Sequence, residues 1–340
     1  MALRILLALM LMFTSLSCDS AKDAVDEAQD LADLELNPPS RKPINTSRLG
    51  VNNFFVDREF GSISAQYQEI QGVLKLKYIR VLFAWTDSVQ PSPSSSPNFS
   101  FFDNIVANAP PGVELLVVVA HTPSWMTNSA NWIDGNPRKT WVERWLRPVV
   151  SRYAGRSAIT AWEIWNEPDL TVVPSDTALG LETPENYFEL LQFGSAVVRS
   201  LTPGKSVVLA ATESIQQSFP SKLRYNQTLR DLGAEDFVDI WNIHYYGQQF
   251  EKVIVSGGVA DFLNSLTRPI WLTESGKQNP VGQLEYAEVT WPFLTENIPG
   301  IERIYYYEYG STDGLADNYG LKTTSSEFPV SDLYTFLRDR

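Results

Sequence analysis

The sequence has very few of the residues that most often bind metals or form cross-links. Its 340 residues include one cysteine, Cys18, and two histidines, His121 and His244. One cysteine excludes an intramolecular disulfide and every zinc site built from several cysteines. Two histidines on separate segments are too few for the usual clusters of metal-dependent hydrolases, so we expect neither a metal nor another cofactor.

Basic residues are also scarce relative to acidic ones. Lysine and arginine number 27 against 40 aspartates and glutamates, which gives a net charge of −13. Binding to nucleic acid or to an anionic membrane surface is therefore not expected. After the amino-terminal segment, no apolar run reaches the roughly 18 residues of a membrane-spanning helix. The charge balance favours a soluble protein that acts on neutral ligands.

The amino terminus has the pattern of an export signal. Arg4 precedes an apolar stretch over 5–13, a small-residue boundary over 14–17, and Cys18. A single cysteine in this position resembles the lipid-modified cysteine of bacterial lipoproteins, so we predict a lipoprotein-type signal peptide over 1–18. An ordinary signal peptide and a free thiol are the alternatives. The protein is expected to be exported and either membrane-anchored, in the periplasm or at the cell surface, or secreted.

The stretch 19–47 is acidic and then proline-containing, without sustained apolar periodicity. This composition predicts a tether between the anchor and a folded domain that begins at residue 48. No later break of composition divides the chain, and the serine-rich stretch 90–100 is predicted to be a surface loop. One domain is therefore predicted over 48–340.

Within this domain, strand-like apolar segments alternate with stretches of helical periodicity. The predicted strands are 48–55, 77–85, 114–122, 158–167, 206–214, 238–246, 269–276 and 301–309. The predicted helices lie near 65–74, 141–154, 184–201, 221–232, 258–265 and 282–294. Repeated alternation requires parallel strands joined by crossovers, which predicts a single (β/α)8 TIM barrel. No glycine-rich phosphate loop follows any strand, which counts against a nucleotide-binding fold.

Polar side chains gather at the carboxyl ends of the predicted strands. Asn166 and Glu167 end the fourth, Glu274 ends the seventh, and both His121 and His244 lie at such ends. In a barrel these ends form one rim, where active sites lie. Aromatic residues make up 12% of the chain. An aromatic-lined rim with carboxylic acids is typical of a carbohydrate site.

Glu167 and Glu274 together have the chemistry of a retaining glycosidase. Such an enzyme needs two carboxyl groups about 5 to 5.5 Å apart, one as nucleophile and the other as acid and then base. Strands four and seven of an eight-stranded barrel can aim both side chains across one mouth. Glu213, which ends strand five, remains an alternative partner for Glu167. A separation beyond about 7 Å would exclude the retaining pair.

Several segments resemble the clan A retaining glycoside hydrolases, most nearly family 39 and family 5-like members. They are WNEPDL with Glu167, WLTESG with Glu274, and IHYYG with His244 and Tyr246. The similarity extends to RVLFAWTDSVQPS, NFSFFDNIV, VVVAHTPSWM and DNYGLKT, and so touches most of 48–340. It implies a hydrolase that cleaves O-glycosidic bonds, expected to be β, in an oligo- or polysaccharide.

The resemblance implies roles for individual residues. Glu167 would be the acid/base and Glu274 the nucleophile. Asn166 would bind the 2-hydroxyl of the reacting sugar, and His244 would contact the substrate or the acid/base. Tyr246 would donate to Glu274 and keep it ionised.

Further substrate contacts follow from the same resemblance. Arg80 would lie near the nucleophile, and an ion pair between Arg80 and Glu163 is compatible with that role. The predicted linings of the sugar subsites are Trp85, His121, Trp125 and Trp132. Where many family members have a tryptophan at the end of strand eight, this chain has YYYEYG. The platform under the reacting sugar is therefore Tyr307, or it is absent.

Two other functions stay open. A surface lipoprotein could bind polysaccharide in the same aromatic cleft without cleaving it, although a binder has no need for two carboxylates. A transglycosylase could use the same pair of glutamates and transfer the sugar to another sugar instead of water.

Overall fold

The computed structural model describes residues 28–29, 31–56 and 58–340. Cys18, the predicted signal peptide and the first part of the predicted tether lie outside the described residues. Over the described ranges, no helix is long and apolar enough to cross a membrane.

Eight parallel strands form the centre of the fold. They are β1 (Leu49–Asn52), β2 (Tyr78–Ala84), β3 (Glu114–Ala120), β4 (Ile159–Ile164), β5 (Ser206–Leu209), β6 (Trp241–His244), β7 (Ile270–Ser275) and β8 (Ile301–Tyr306). Their order in the sheet is β5-β4-β3-β2-β1-β8-β7-β6. The outer strands meet through a parallel bridge between Val208 and Ile240, which closes the sheet. The predicted single (β/α)8 barrel is confirmed.

Helices surround the strands, and each of the six regions where the periodicity predicted a helix contains one. The helices are α1 (Ile63–Gln68), α2 (Ser100–Asn108), α3 (Pro137–Trp141), α4 (Arg147–Tyr153), α5 (Pro184–Leu201), α6 (Ser221–Asp231), α7 (Glu251–Ile254), α8 (Val259–Asn264), α9 (Gln283–Asn297) and α10 (Asp332–Asp339). The helices Ser100–Asn108, Glu251–Ile254 and Asp332–Asp339 were not predicted. After β8 comes a short parallel pair, β9 (Gly310–Ser311) and β10 (Lys322–Thr323). This pair brackets a loop that returns to the mouth of the barrel.

The barrel interior is packed in layers, as expected for this fold. One buried cluster consists of Leu116, Ala161, Val208, Ile240, Trp271 and Tyr305. Glu163 and Asn242 follow two residues after Ala161 and Ile240 on their strands, so they point to the same side of the sheet. The next layer toward the carboxyl ends is therefore polar, and the site begins there.

The end of the predicted tether lies against α9. The Lys42 backbone N–H donates to the Glu288 carbonyl at 2.8 Å. The side chains of Arg41 and Lys42 form ion pairs with Glu288 and Glu296 at 2.5 and 2.6 Å. A tether over 19–47 stays a prediction, but its last residues are held against the barrel.

Glu69, which follows α1, binds the carboxyl-terminal part of the chain. Its carboxylate accepts hydrogen bonds from Tyr334 Oη at 2.5 Å, Tyr309 Oη at 2.9 Å and Lys322 Nζ at 2.8 Å. Burial would raise the pKa of Glu69, but these three donors lower it below its ordinary value. One carboxylate therefore joins α1 to β10, α10 and the segment after β8.

We predict that Glu69→Gln lowers the free energy of unfolding by about 2 kcal/mol at neutral pH, because charge-assisted hydrogen bonds are lost. The folded pKa lies below the unfolded value, so this stabilisation is present above the unfolded pKa and is lost as pH falls through the folded one. Urea denaturation at neutral and acidic pH measures the difference. The exposed Glu59→Gln is the control, and an effect of Glu69→Gln that is equal at both pH values would contradict this role.

Candidate active site

A buried arginine lies at the centre of the site. Arg80, on β2, is only 1% exposed. Its Nε and Nη2 donate to Glu163 at 2.7 and 2.8 Å, and Nη1 donates to Glu274 at 2.5 Å. Nη2 also donates to Asn166 Oδ1 at 2.6 Å, and Nη1 to Asn52 Oδ1 at 3.0 Å. One planar guanidinium thus connects β1, β2, β4 and β7, and the two contacts predicted for Arg80 both exist.

Glu274 lies near the end of β7 and is largely buried. Its Oε1 accepts from Arg80, and its Oε2 accepts from Tyr246 Oη at 2.8 Å. Burial would raise the pKa of Glu274, but the charges of His244 and Arg80 and the hydrogen bond from Tyr246 lower it below its ordinary value. Glu274 is therefore a carboxylate at neutral pH.

His244 ends β6 and lies fully buried between two carboxyl groups. Its Nδ1 is 3.0 Å from Glu167 Oε1, and its Nε2 is 3.5 Å from Glu274 Oε1. Burial would lower the pKa of His244, but the charge of Glu274 and the hydrogen bond to Glu167 raise it above its ordinary value. The ring is therefore a donor toward Glu167.

Glu167 and Glu274 approach each other closely. An oxygen of each carboxyl group and a ring nitrogen of His244 all lie within 4.8 Å of one another. Nitrogen and carboxylate ligands of this kind suit zinc. Both oxygens of Glu274, however, already accept hydrogen bonds, and the Arg80 cation opposes a second positive charge. The arrangement fits acid–base chemistry better than metal binding, and the absence of a metal stays a prediction.

The backbone after β4 determines how Glu167 reaches this position. The sequence predicted a strand as far as Glu167, but β4 ends at Ile164. Trp165 and Glu167 have positive φ angles of 78° and 44°, which are uncommon for residues other than glycine. The turn buries Trp165 and leaves Asn166 and Glu167 half-buried at the mouth. Such backbone strain is a frequent feature of functional sites.

Asn166 and His121 each use one polar atom within the protein and keep another for a ligand. Asn166 Oδ1 accepts from Arg80, and none of the described residues bonds its amide nitrogen. His121, after β3, pairs through Nδ1 with Asp176 Oδ2 at 2.9 Å. Asp176 also accepts from Thr122 Oγ1 at 3.0 Å. The half-buried His121 ring is thus held with Nε2 available, as a predicted sugar contact requires.

Three tyrosines, Tyr246, Tyr307 and Tyr319, form what we call the tyrosine wall. The ring centroid of Tyr246 is 6.2 Å from that of Tyr307 and 5.4 Å from that of Tyr319. Tyr307 and Tyr319 are 5.8 Å apart, and all three pairs are edge-to-face. Phe54, after β1, packs on Tyr307 at 6.0 Å. Tyr307 is therefore at the mouth, where the sequence predicted an aromatic platform.

The prediction that Trp85 contacts the substrate is wrong. Trp85 is 0% exposed, its ring stacks on Trp145 at 6.0 Å, and its Nε1 donates to Gln90 Oε1 at 2.9 Å. It leaves no ring face for a sugar. Instead it packs edge-on against Trp125 at 5.1 Å. Trp125 and Trp132 are half-buried and keep partial exposure, so the aromatic surface on this side is one residue smaller than predicted.

Glu213, the alternative nucleophile, is held by a neighbouring lysine. Lys222 Nζ lies 2.9 Å from Glu213 Oε2 and 2.6 Å from Asp169 Oδ2. The Glu213 backbone N–H also donates to Asp169 Oδ1 at 3.0 Å. These contacts join the loops after β4 and β5, so Glu213 has a structural role.

A family model for Cellulase (glycosyl hydrolase family 5) matches residues 47–308. The chain belongs to this family. The prediction of a clan A glycoside hydrolase is thereby confirmed, and the barrel is a glycosidase domain. A comparison with curated protein sequences found no match.

Solved structures share the fold of this family 5 domain. A family 39 glycoside hydrolase from Bacteroides cellulosilyticus WH2 has a TM-score of 0.62 at 17% identity, over 88% of this chain and 63% of that one. An exo-β-1,4-mannosidase from Opitutaceae bacterium strain TAV5 has a TM-score of 0.60 at 12% identity, over 86% of this chain and 58% of that one. The catalytic domain of the major endoglucanase from Xanthomonas campestris pv. campestris has a TM-score of 0.56 at 17% identity, over 88% of this chain and 97% of that one. At these identities the similarity shows the fold alone.

Sequence reasoning missed two amides in the polar layer of the family 5 domain. Asn52 donates to the carbonyl oxygen of Thr273 at 2.8 Å while accepting from Arg80. Asn242 donates to Glu163 Oε1 at 3.0 Å and accepts from Thr273 Oγ1 at 2.8 Å. An asparagine inside an otherwise apolar strand could have indicated these positions, because a buried amide requires hydrogen-bond partners.

We predict that Tyr246→Phe moves the acidic limb of the kcat/KM profile upward by about one pH unit, because Glu274 loses a hydrogen bond that favours its charged form. As the predicted nucleophile, Glu274 would act as the carboxylate, so we expect activity to fall as pH drops through its pKa. The measurement is the pH dependence of kcat/KM on an aryl glycoside that the wild type cleaves. Tyr78→Phe, at the opposite end of the barrel, is the control. If the acidic limb of Tyr246→Phe lies at the same pH as that of the wild type, the proposed role of Tyr246 is contradicted.

Proposed function

We propose that this protein is a retaining glycosidase that cleaves β-linked, neutral oligo- or polysaccharides by double displacement. The main support is the approach of Glu167 and Glu274, of which one carboxyl oxygen each lies within 4.8 Å of the other at the mouth. Retaining enzymes have such groups about 5 to 5.5 Å apart, whereas inverting enzymes need about 6.5 to 9.5 Å to admit a water molecule.

In the first step Glu274 attacks the anomeric carbon and the bond to the leaving oxygen breaks. Glu167 transfers its proton to that oxygen, so the leaving group departs as a neutral alcohol. The sugar is then an ester of Glu274, and Glu167 is a carboxylate. The hydrogen bond between His244 Nδ1 and Glu167 at 3.0 Å stabilises this carboxylate as it forms.

In the second step Glu167 takes a proton from water while the water oxygen attacks the anomeric carbon. The ester bond breaks and Glu274 returns to a carboxylate, with net retention of configuration. Arg80 and Tyr246 favour this departure because both donate to the Glu274 oxygens. Asn166, held by Arg80, is positioned for the 2-hydroxyl, where a hydrogen bond strengthens in the transition state.

The substrate class rests on charge and on relatives. A net charge of −13 disfavours anionic polysaccharides and leaves neutral ones. The matched family is named for cellulases, and similar structures include an endoglucanase and an exo-β-1,4-mannosidase. These names support a β-linked substrate.

We predict that Glu274→Gln lowers kcat by at least about a thousandfold, because the nucleophile is removed. Glu167→Ala should regain part of its activity with azide on an aryl glycoside, since azide needs no base to attack the ester. NMR of the first-formed product tests retention. Glu213→Gln is the matched variant and should stay active. Full activity of Glu274→Gln or Glu167→Ala would refute the assignment.

The wild-type products separate the remaining alternatives. Binding of a glycan without new reducing ends would favour the non-catalytic binder. Products longer than the substrate would favour transfer to another sugar.

We also propose that the protein is exported and anchored through a lipid on Cys18, as the amino-terminal pattern indicates. Cys18→Ala should lose incorporation of a palmitate analogue and should move from the membrane to the soluble fraction of cells. The wild type carrying the label is the control. Equal labelling of Cys18→Ala would rule out this anchor.

A further inference from the structure

Tyr319 packs against the tyrosine that binds the candidate nucleophile, although it comes from the loop between β9 and β10. Its ring is 5.4 Å from that of Tyr246, whose hydroxyl donates to Glu274. It is also 5.8 Å from the ring of Tyr307. Tyr319 is thus one ring away from Glu274, on the same side of the mouth as Tyr307.

The hydroxyl groups of the tyrosine wall are used unequally. Tyr246 donates to Glu274, but within the described part of the chain neither Tyr307 nor Tyr319 has a hydrogen-bond partner for its hydroxyl. The adjacent Tyr306 and Tyr309 do, since they donate to the Tyr319 carbonyl at 2.8 Å and to Glu69 at 2.9 Å. The Tyr307 and Tyr319 hydroxyls are not among the buried polar atoms without a partner, so both are accessible at the mouth. Each can therefore donate to a ligand that enters there.

The loop that carries Tyr319 is firmly held. The fully buried Asn318 donates from Nδ2 to the carbonyls of Ser311 and Asp313 at 3.0 and 2.8 Å. Its Oδ1 accepts from the Gly320 N–H at 2.8 Å. The Tyr319 ring is therefore presented on a rigid segment. A preorganised ring loses little entropy when a ligand packs on it.

The backbone after β7 packs closely against two residues of the tyrosine wall. At Gly276, directly after β7, a Cβ would lie 2.4 Å from the Tyr307 carbonyl oxygen and 3.3 Å from Tyr319 Cδ1. Only a glycine leaves room for this approach. The end of β7, which carries Glu274, is thus packed directly against both tyrosines.

The electrostatic setting keeps both phenols as hydrogen-bond donors. Burial raises the pKa of Tyr319, and the negative charges of Asp317 and Glu274 raise it further. Burial and the charges of Glu308 and Glu274 do the same for the pKa of Tyr307. Both hydroxyls therefore stay protonated at neutral pH and can donate to a sugar oxygen.

We propose that Tyr319 is a substrate-binding residue and that, with Tyr307, it forms the surface on which the sugar attached to Glu274 lies. This inference rests on the proposed glycosidase function. It gives that site two tyrosines, each with a ring and an accessible hydroxyl. The ligand that fits is a neutral sugar with hydroxyl groups on the side facing Glu274.

The test compares Tyr319→Phe, which removes the hydroxyl, with Tyr319→Ala, which also removes the ring. The probes are neutral tetrasaccharides of β-linked glucose, mannose or xylose, of which the one that the wild type binds best is used. We expect KM to rise about threefold for Tyr319→Phe and about tenfold for Tyr319→Ala. Calorimetric titration in the Glu274→Gln background should give the same changes in Kd. Tyr78→Phe, at the amino end of β2, should change neither.

A purely structural role for Tyr319 would give a different result. If Tyr319 only supports Tyr246, kcat should fall and the acidic limb governed by Glu274 should move, with Kd in the Glu274→Gln background unchanged. That outcome, or an unchanged KM in Tyr319→Ala, would overturn the inference. A higher Kd in the Glu274→Gln background, with the acidic limb at its wild-type pH, supports the inference.

A separate readout distinguishes this inference from the proposed function. An activated 2-deoxy-2-fluoro glycoside should label Glu274 in the wild type and in Tyr319→Phe, as detected by mass spectrometry of the peptides. Labelling together with an unchanged Kd would overturn only the role of Tyr319. A wild type that neither becomes labelled nor binds any of the probes would overturn the proposed function, and this inference with it.

Discussion

The pairing of a buried arginine with two buried carboxylates is the constraint on which this structure depends. Removing a guanidinium from water costs several kcal/mol unless its donors are paired. Arg80 meets this requirement through Glu163 and Glu274, with Asn166 and Asn52 as further acceptors. These partners come from three other parts of the barrel, so the barrel must close correctly for the charge to be tolerated. The closure of the barrel and the pairing of the buried charges in the site therefore depend on each other.

The same pairing suits a reaction in which charge moves between two glutamates. In the proposed reaction Glu274 begins as a carboxylate paired with Arg80, and Glu167 begins as the acid that donates its proton. After the first proposed step Glu274 is an ester and Glu167 is the anion, so the net charge of the group is unchanged. Because burial penalises any uncompensated charge, a constant balance keeps both states accessible. His244 contacts both glutamates and therefore lies at the site of this exchange.

Much of the fold could be predicted because its physical causes are local. The seven-residue strand β3 is buried along nearly its whole length and therefore appears as a continuous apolar run after Glu114. The strand ends were less predictable. The run that ends in Glu167 looks like a strand to its last residue, yet Trp165 turns the chain through a left-handed conformation. That turn is stabilised by tertiary contacts, which apolar periodicity does not report.

The sequence by itself determined the eightfold alternation, the acidic charge balance, and the presence of glutamates at the ends of strands four, five and seven, since each follows from residue type and spacing. Only the tertiary structure decided which side chains share the site. Trp85 and Tyr319 show this most clearly. A tryptophan predicted at the mouth is buried behind Trp125, and a loop tyrosine packs against Tyr246, which donates to Glu274. Exposure and contact between distant residues depend on how the helices and loops pack around the barrel, and no local pattern encodes that packing.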